Sequence, residues 1–245
     1  MLDLQLADRR FLVTGATRGL GRAIAAALVA QGAKVAAFGR EIDLVPDGVS
    51  FARAVDVMEP GAAADMVALT RENVGGLDAV IAVAGRSMGG NFEDIDDQRW
   101  AEGLNLNLLS VIRLCRAAIP PLRESTAGRI VLFGAVSGIE PRSSHAISNI
   151  AKAGIHVLAK TLSRELADDG ILVNCIAPGR IRGGQLDRAF ADEAARRARA
   201  AELVPLGRFG VPEEAAPLAL LLASPTNTYI TGQTIAVDGG MTWRT

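Results

Sequence analysis

Thr14-Gly15-Ala16-Thr17-Arg18-Gly19-Leu20-Gly21 follows the apolar run Phe11–Thr14 and leads into Arg22-Ala23-Ile24, where helical spacing begins. The three glycines have separate uses in such a strand-to-helix turn. Gly15 allows the tight turn, Gly19 removes side-chain bulk where a phosphate must approach the backbone, and Gly21 lets helix and strand pack closely. The amides at the helix N-terminus then face an anion. A glycine triplet by itself makes an ordinary turn. Placed after the first strand and opening the first helix, with Thr17, Arg18 and Leu20 completing the loop, it reads as a dinucleotide-binding fingerprint.

Outward from this loop, short apolar runs alternate with longer stretches of helical period. Strands are predicted at Phe11–Thr14, Lys34–Phe38, Phe51–Val55, Ala79–Val83, Arg129–Phe133, Leu172–Ile176 and Thr234–Val237. Leu20, Ile24 and Leu28 step by four, as do Leu104, Leu108 and Ile112, while Ile155, Leu158, Leu162 and Leu166 step by three, four and four. Pro120-Pro121 is expected to end the fourth long helix, and Pro212 before Glu213-Glu214 suits the first turn of a late one. Strand-helix alternation of this kind predicts α/β architecture: one doubly wound parallel sheet over residues 1–245, with helices on both faces.

The 245 residues suit one large domain, and 49% are hydrophobic. With 26 Lys+Arg against 27 Asp+Glu, the formal charge of −1 gives no sign of a broad nucleic-acid surface. Cys115 and Cys175 make neither a disulfide framework nor a metal spacing, and no His/Cys/Asp/Glu cluster suggests a metal. No apolar run approaches the roughly 18 residues of a membrane helix. The opening MLDLQLADRR carries acids early and lacks a long apolar core, unlike a signal peptide. A soluble cytoplasmic protein is expected.

The second strand bears on cofactor choice. An NAD site wants an acid near that strand's end to accept from the ribose 2′-hydroxyl. Here the strand ends in Gly39-Arg40, and Arg18 lies inside the glycine loop. Two guanidiniums suit the 2′-phosphate of NADP(H), since arginine pairs with phosphate in a fork. Glu41 stands one position too late for the usual acid but could fold back, which keeps NAD(H) as the lesser alternative.

At this point the chain resembles the classical short-chain dehydrogenase/reductase family, which includes 3-oxoacyl-carrier-protein reductases. The resemblance covers nearly the whole chain and implies a Rossmann-type fold. It rests on Gly15-x-x-x-Gly19-x-Gly21, on Asp56-Val57 where the family contacts adenine, and on Asn107, seven residues after Trp100, where the family carries an active-site Asn. Lys152-Ala153-Gly154 matches the Lys of the family's Tyr-x-x-x-Lys, and Pro178-Gly179, with Ile181 just beyond, resembles the turn that flanks the nicotinamide. Tyr229-Ile230-Thr231-Gly232-Gln233 and Val237-Asp238-Gly239-Gly240 are also similar to the family's tail.

Departures fall at the chemistry. Ser148 occupies the place of the catalytic Tyr, and Ala135 that of the Ser that holds the substrate carbonyl. The family's Asn-Asn-Ala-Gly reads Ala82-Val83-Ala84-Gly85, leaving Ala84 and Gly85 as the cofactor-side wall, and Gly183 stands at the usual Thr. A phenol can be drawn toward neutrality by a neighbouring ammonium, whereas a serine hydroxyl is a far weaker acid and ends ångströms short. General-acid catalysis is worth about 10² to 10⁴ in rate and an oxyanion donor about 10² to 10³. Ordinary reduction without either would be very slow.

Other groups could compensate. His145, three residues before Ser148, shares its face if the segment is already helical, and an imidazole titrates near neutrality; otherwise it is a surface loop residue. Ser137, Ser143 and Ser144 lie close by. Lys152 is expected to contact the dinucleotide ribose even without Tyr, and Asn107 to act at the site or to hold a helix bend and a water. A serine-hydrolase reading of Ser148 fails for want of a Gly-x-Ser-x-Gly elbow.

Residues 180–205 correspond to the family's substrate lid, with a helix-like stretch from Leu186 to Leu203. Arg180, Arg182, Arg188, Arg196, Arg197 and Arg199 make it locally basic. They read either as attraction for an anionic substrate, such as a phosphopantetheine carrier or a carboxylate, or as a solvated face salted with Asp187, Asp192 and Glu193. The loop Gly85–Gly90 is expected to form the opposite wall, its glycines giving mobility. The resemblance also implies a homo-oligomer, tetramer or dimer, through the helices around Asn107–Pro120 and Ala151–Ala167.

Three functions stay open. One is an NADP-dependent oxidoreductase acting on a small-molecule carbonyl or an acyl thioester, with a rearranged proton path through Lys152, Asn107, Ser148 or His145. The others are a silent nucleotide-binding subunit and a non-redox isomerase or lyase.

Overall fold

A computed structural model describes residues 3–183, 186 and 192–243. Among these, seven strands form a single parallel sheet: β1 (Arg10–Thr14), β2 (Lys34–Gly39), β3 (Phe51–Ala54), β4 (Ala79–Ala82), β5 (Arg129–Phe133), β6 (Leu172–Pro178) and β7 (Thr234–Val237), in the order β3-β2-β1-β4-β5-β6-β7. Each expected strand is present, with ends displaced by at most two residues.

Side chains alternate across the pleat, and both faces are apolar because both are covered. Phe11, Val13, Val35, Ala37, Ile81 and Val131 point to the side carrying α1 (Gly19–Ala30) and α7 (Pro212–Ala223). Leu12, Phe38, Val80, Ile130 and Leu132 point to the other side, against α2 (Ala62–Val74), α4 (Ser110–Leu122) and α5 (Ala146–Glu165). Strand order reverses between β1 and β4, and this opens a crevice at the strands' carboxyl ends. At the opposite end, Asp78 accepts from Arg10 Nε and Nη2 at 2.7 Å each and from Ser125 Oγ at 2.6 Å, tying β1, β4 and the segment before β5 together.

Several helix expectations need adjustment. The Leu104-Leu108-Ile112 period is broken: α3 (Asp97–Leu104) meets α4 through a π-turn over Asn105–Leu109. Such turns mark functional sites, and this one centres on Asn107. Pro120 and Pro121 sit within the last turn of α4, which stops one residue later at Leu122. Pro212 opens α7 as expected, and Glu214 Oε2 accepts from Val211 N at 2.8 Å. Helix α6 runs Glu193–Leu203, capped by Asp192, which accepts from Ala195 N at 2.7 Å. Leu186 N donates to Gly183 O at 3.1 Å, while Gly184, Asp187 and Arg188 lie outside the described residues. No described helix is long and apolar enough to cross a membrane, and no described trio of His, Cys, Asp or Glu could hold a metal.

Candidate active site

A cleft of about 870 Å³ runs along the carboxyl ends of β1, β2, β4 and β6, from the glycine loop to Arg199 of α6. Gly15 turns the chain at φ +67°, and a β-carbon on Gly21 would come 2.2 Å from Gly15 O, so strand and helix are as tightly apposed as the spacing predicts. A β-carbon on Gly19 would meet nothing within 4 Å, which leaves the loop open to the cleft. Arg18, the N-cap residue of α1, caps nothing with its side chain, and no acid sits in the first turn. The amides and helix dipole there face the cleft with no side-chain acid of their own, which suits an anion.

Thr17, Leu20, Arg40, Asp56, Val57, Ala84, Gly85, Pro178, Gly179 and Ile181 all line this cleft with the glycine loop. Thr14 Oγ1 accepts from Val83 N at 3.1 Å and Ala84 N at 3.2 Å, holding the turn after β4 against β1; the fingerprint had not marked Thr14 for this. Asp56 Oδ1 accepts from Met58 N at 2.9 Å. Beyond the end of β2, Arg18 pairs with Glu41, so the expectation of two guanidiniums free of any acid is corrected: Glu41 folds back toward the glycine loop, and of the two arginines only Arg40 has no carboxylate partner among the described residues. Both members of the Arg18–Glu41 pair are half exposed, and such pairs contribute about 0–1 kcal/mol, little enough for a phosphate to displace the acid.

The expected catalytic residues divide into three places. Asn107 and Lys152 stand together behind Gly85, whose added β-carbon would come 2.9 Å from Asn107 Oδ1 and 3.6 Å from Lys152 Nζ. Asn107 donates to Gly103 O at 3.0 Å and accepts from Arg86 N at 2.9 Å, bridging the π-turn to the cleft wall. Lys152 donates to Phe133 O at 2.8 Å; burial pushes its ammonium down to about 8, partly offset by Cys175. One turn further along α5, His156 Nε2 lies 3.4 Å from Ala135 N as acceptor, and burial together with the Lys152 charge lowers its pKa to about 4, so it is a neutral support beneath the site.

Ser148 is elsewhere in role. It is buried and absent from the cleft lining, accepting from Met88 N at 2.7 Å and donating to Met88 O at 3.2 Å. The wall Gly85–Gly90 is thus pinned and not merely glycine-mobile: besides Met88, Arg86 N is held by Asn107, and Gly90 N donates to Ser144 O at 2.8 Å.

His145 is the N-cap residue of α5, with φ −140°, so it does not share a helical face with Ser148. It lines the cleft over Gly89, its Nδ1 lies 2.9 Å from Ser143 O, and Arg142 Nη2 lies 3.5 Å from its Nε2. A carbonyl can only accept, so Nδ1 carries the proton and Nε2 the lone pair. Arg142 was missed by the sequence reading; its position three residues before His145 was the available signal. Ser137 is buried in the turn Val136–Gly138 and does not reach the cleft lining.

Of the basic residues in α6, Arg197 is solvated and pairs with Glu193 at 3.4 Å, whereas Arg196, paired with the same acid at 2.7 Å, has a largely buried side chain. Arg180, Arg182 and Arg199 line the cleft.

Comparison with known proteins agrees with this architecture. A protein family described as Enoyl-(Acyl carrier protein) reductase matches residues 15–242. A 3-oxoacyl-[acyl-carrier-protein] reductase FabG from Salmonella typhimurium is 36% identical over 236 residues, 94% of this chain and 96% of its own. Among solved structures, an NADPH-bound short chain oxidoreductase from Pseudomonas aeruginosa PAO1, described as containing an atypical catalytic center, superposes with a TM-score of 0.89 at 30% identity, covering 98% of this chain and 99% of that one. An L-sorbose reductase from Gluconobacter frateurii, complexed with NADPH and L-sorbose, gives 0.93 at 27% identity over the whole of both chains.

Proposed function

Because this chain belongs to the short-chain dehydrogenase/reductase family of oxidoreductases, we propose that it is an NADP(H)-dependent enzyme interconverting a carbonyl and an alcohol with a non-standard proton path. The single observation that supports this most strongly is the continuous cleft from the uncapped N-terminus of α1 to His145.

When bound, the nicotinamide cofactor supplies or accepts the hydride. The protein's part is to bind and to move one proton. The first amides of α1 would hold the pyrophosphate, Arg40 the 2′-phosphate and Asp56 the adenine edge. Lys152, with one ammonium proton on Phe133 O, has two left for ribose hydroxyls. Asn107 orders the wall through Arg86 N. A substrate oxygen being reduced needs a proton, and Ser148 has none to give because its hydrogen is directed to Met88 O. In this reading His145 gives it: Nδ1 stays anchored on Ser143 O, and Nε2, which otherwise accepts toward Arg142 Nη2 at 3.5 Å, would carry the proton to the substrate over Gly89. The substrate in this reading is a small-molecule carbonyl compound or a 3-oxoacyl thioester.

A second reading, a silent nucleotide-binding subunit, is favoured by Ala135 and by the occupied hydroxyl of Ser148. Calorimetry with NADPH and NADH, followed by cofactor oxidation across ketones and 3-oxoacyl thioesters, separates the two. We expect tight NADPH binding and turnover of part of the panel. A flat trace with proven NADPH binding would favour the silent subunit, and no NADPH binding would overturn both.

A homo-oligomer through α4 and α5 belongs to the same proposal. Ile150 and Val157 on α5, and Leu109 just before α4, are large apolar side chains left exposed. Cys115 and Cys175 are buried free thiols, which suits a cytoplasmic setting.

A further inference from the structure

Beside His145, positive charge is concentrated, and among the described residues two of the cations there have no carboxylate partner. Arg142, Arg180 and Arg199 come from three separate chain segments, the approach to α5, the turn after β6 and helix α6, and all three line the cleft beside His145. Arg199 pairs with Glu202 at 2.5 Å. Arg142 and Arg180 have no carboxylate partner among the described residues, and Arg180 Nε is fully buried without any hydrogen-bond acceptor. The other acids of the cleft are engaged or distant: Glu41 with Arg18, and Glu102 with Arg86 at 2.5 Å.

Both backbones are fixed. Asn149 of α5 accepts from Arg142 N at 3.3 Å and donates to Arg142 O at 2.8 Å. Gly210 N donates to Arg180 O at 2.9 Å, while Arg182 N donates to Gly210 O at 2.8 Å. Burial, and then the neighbouring charges of Arg142 and Arg199, push the Arg180 guanidinium down to about 10, so bringing these cations together costs free energy that a bound anion would offset.

We propose that Arg142 and Arg180 form an oxyanion-recognition subsite for a carboxylate on the substrate itself, so that the carbonyl compound is a short oxo acid. The proposal rests on the oxidoreductase reading above and names its substrate class. Arg142 lies 3.5 Å from the His145 ring, so the anion binds close to the atom that receives the proton. A phosphopantetheine phosphate, by contrast, lies at the far end of a long arm from its thioester. Forked guanidiniums suit a carboxylate bidentately.

The test uses the full chain with NADPH. Acetoacetate and other 2-, 3- and 4-oxo acids are compared with their methyl esters as substrates. In parallel, each acid is titrated into the NADP+ complex by calorimetry. We expect at least one oxo acid to bind, with kcat/KM about 10- to 100-fold above its ester, and Arg180→Met and Arg142→Met to abolish that preference. NADPH affinity, measured in the same variants, reports whether the cleft is intact. Equal use of acid and ester, or no heat from any oxo acid in a complex that binds NADP+, overturns the proposal. So does an Arg180-dependent preference for a 3-oxoacyl phosphopantetheine thioester over its uncharged pantetheine analogue, which would assign the subsite to a carrier. Failure to bind NADPH at all would instead remove the oxidoreductase reading.

Discussion

Ser148 holds Met88 by both of its backbone polar groups, accepting from the amide at 2.7 Å and donating to the carbonyl at 3.2 Å. A buried hydroxyl used in this way fastens the cleft wall to α5 and keeps its proton from the substrate. Ser148 is thus a structural tie between the cleft wall and α5.

Ser148→Ala should accordingly cost about 1–3 kcal/mol of stability, since two buried backbone groups lose their partner, while kcat for a substrate that turns over falls only a few-fold. His145→Gln should lower kcat about 10²- to 10⁴-fold, the usual range for a general acid. Steady-state kinetics with thermal unfolding of both variants checks this. The reverse pattern would return the proton to Ser148.

Arg40→Ala should weaken NADP(H) binding by about 10- to 100-fold, the value of one lost charge-assisted contact, and leave NAD(H) nearly unchanged. Glu41→Gln frees Arg18 and should tighten NADP(H) modestly, because an exposed ion pair is weak. Calorimetric titration of both cofactors into both variants decides it.

Lys152 has its pKa lowered from 10.5 to about 8, chiefly by burial. Its charge is lost as pH rises through about 8, so NADP(H) affinity should fall across that point. Stability moves the other way: between about 8 and 10.5 the unfolded chain binds more protons than the folded one, so this group makes stability rise with pH over that window. Both trends should vanish in Lys152→Met, measured by cofactor titration and denaturant unfolding at several pH values.

Asp78 shows the opposite case. Burial alone would raise its pKa, but hydrogen bonds from Arg10 and Ser125, with the charge of Arg9, hold it at about 2 against an ordinary 3.8. Its contribution, roughly 2 kcal/mol by linkage, is present above about pH 4 and lost as pH falls through about 2. Asp78→Asn should destabilise the fold by about 3–5 kcal/mol at neutral pH, because the partly buried Arg9 and Arg10 lose their buried countercharge.

Ile150→Glu combined with Val157→Glu should yield a smaller particle by light scattering than the native chain. The two charges would sit on α5 where exposed apolar side chains now stand. An unchanged mass would separate these residues from any interface.

What the chain order alone determined was local and periodic. Alternating apolar runs placed all seven strands, and the glycine spacing placed the turn into α1, because strand and helix propensity act over a few neighbouring residues. The π-turn at Asn107 escaped the period of Leu104, Leu108 and Ile112, since one extra residue per turn leaves no mark in that spacing. Only the tertiary structure decided how side chains distant in sequence share the cleft: Glu41 against Arg18, Ser148 under Met88, and Arg142 and Arg180 facing the same space beside His145. These contacts depend on where loops from separate crossovers come to rest, and packing and charge settle that only once the sheet is assembled.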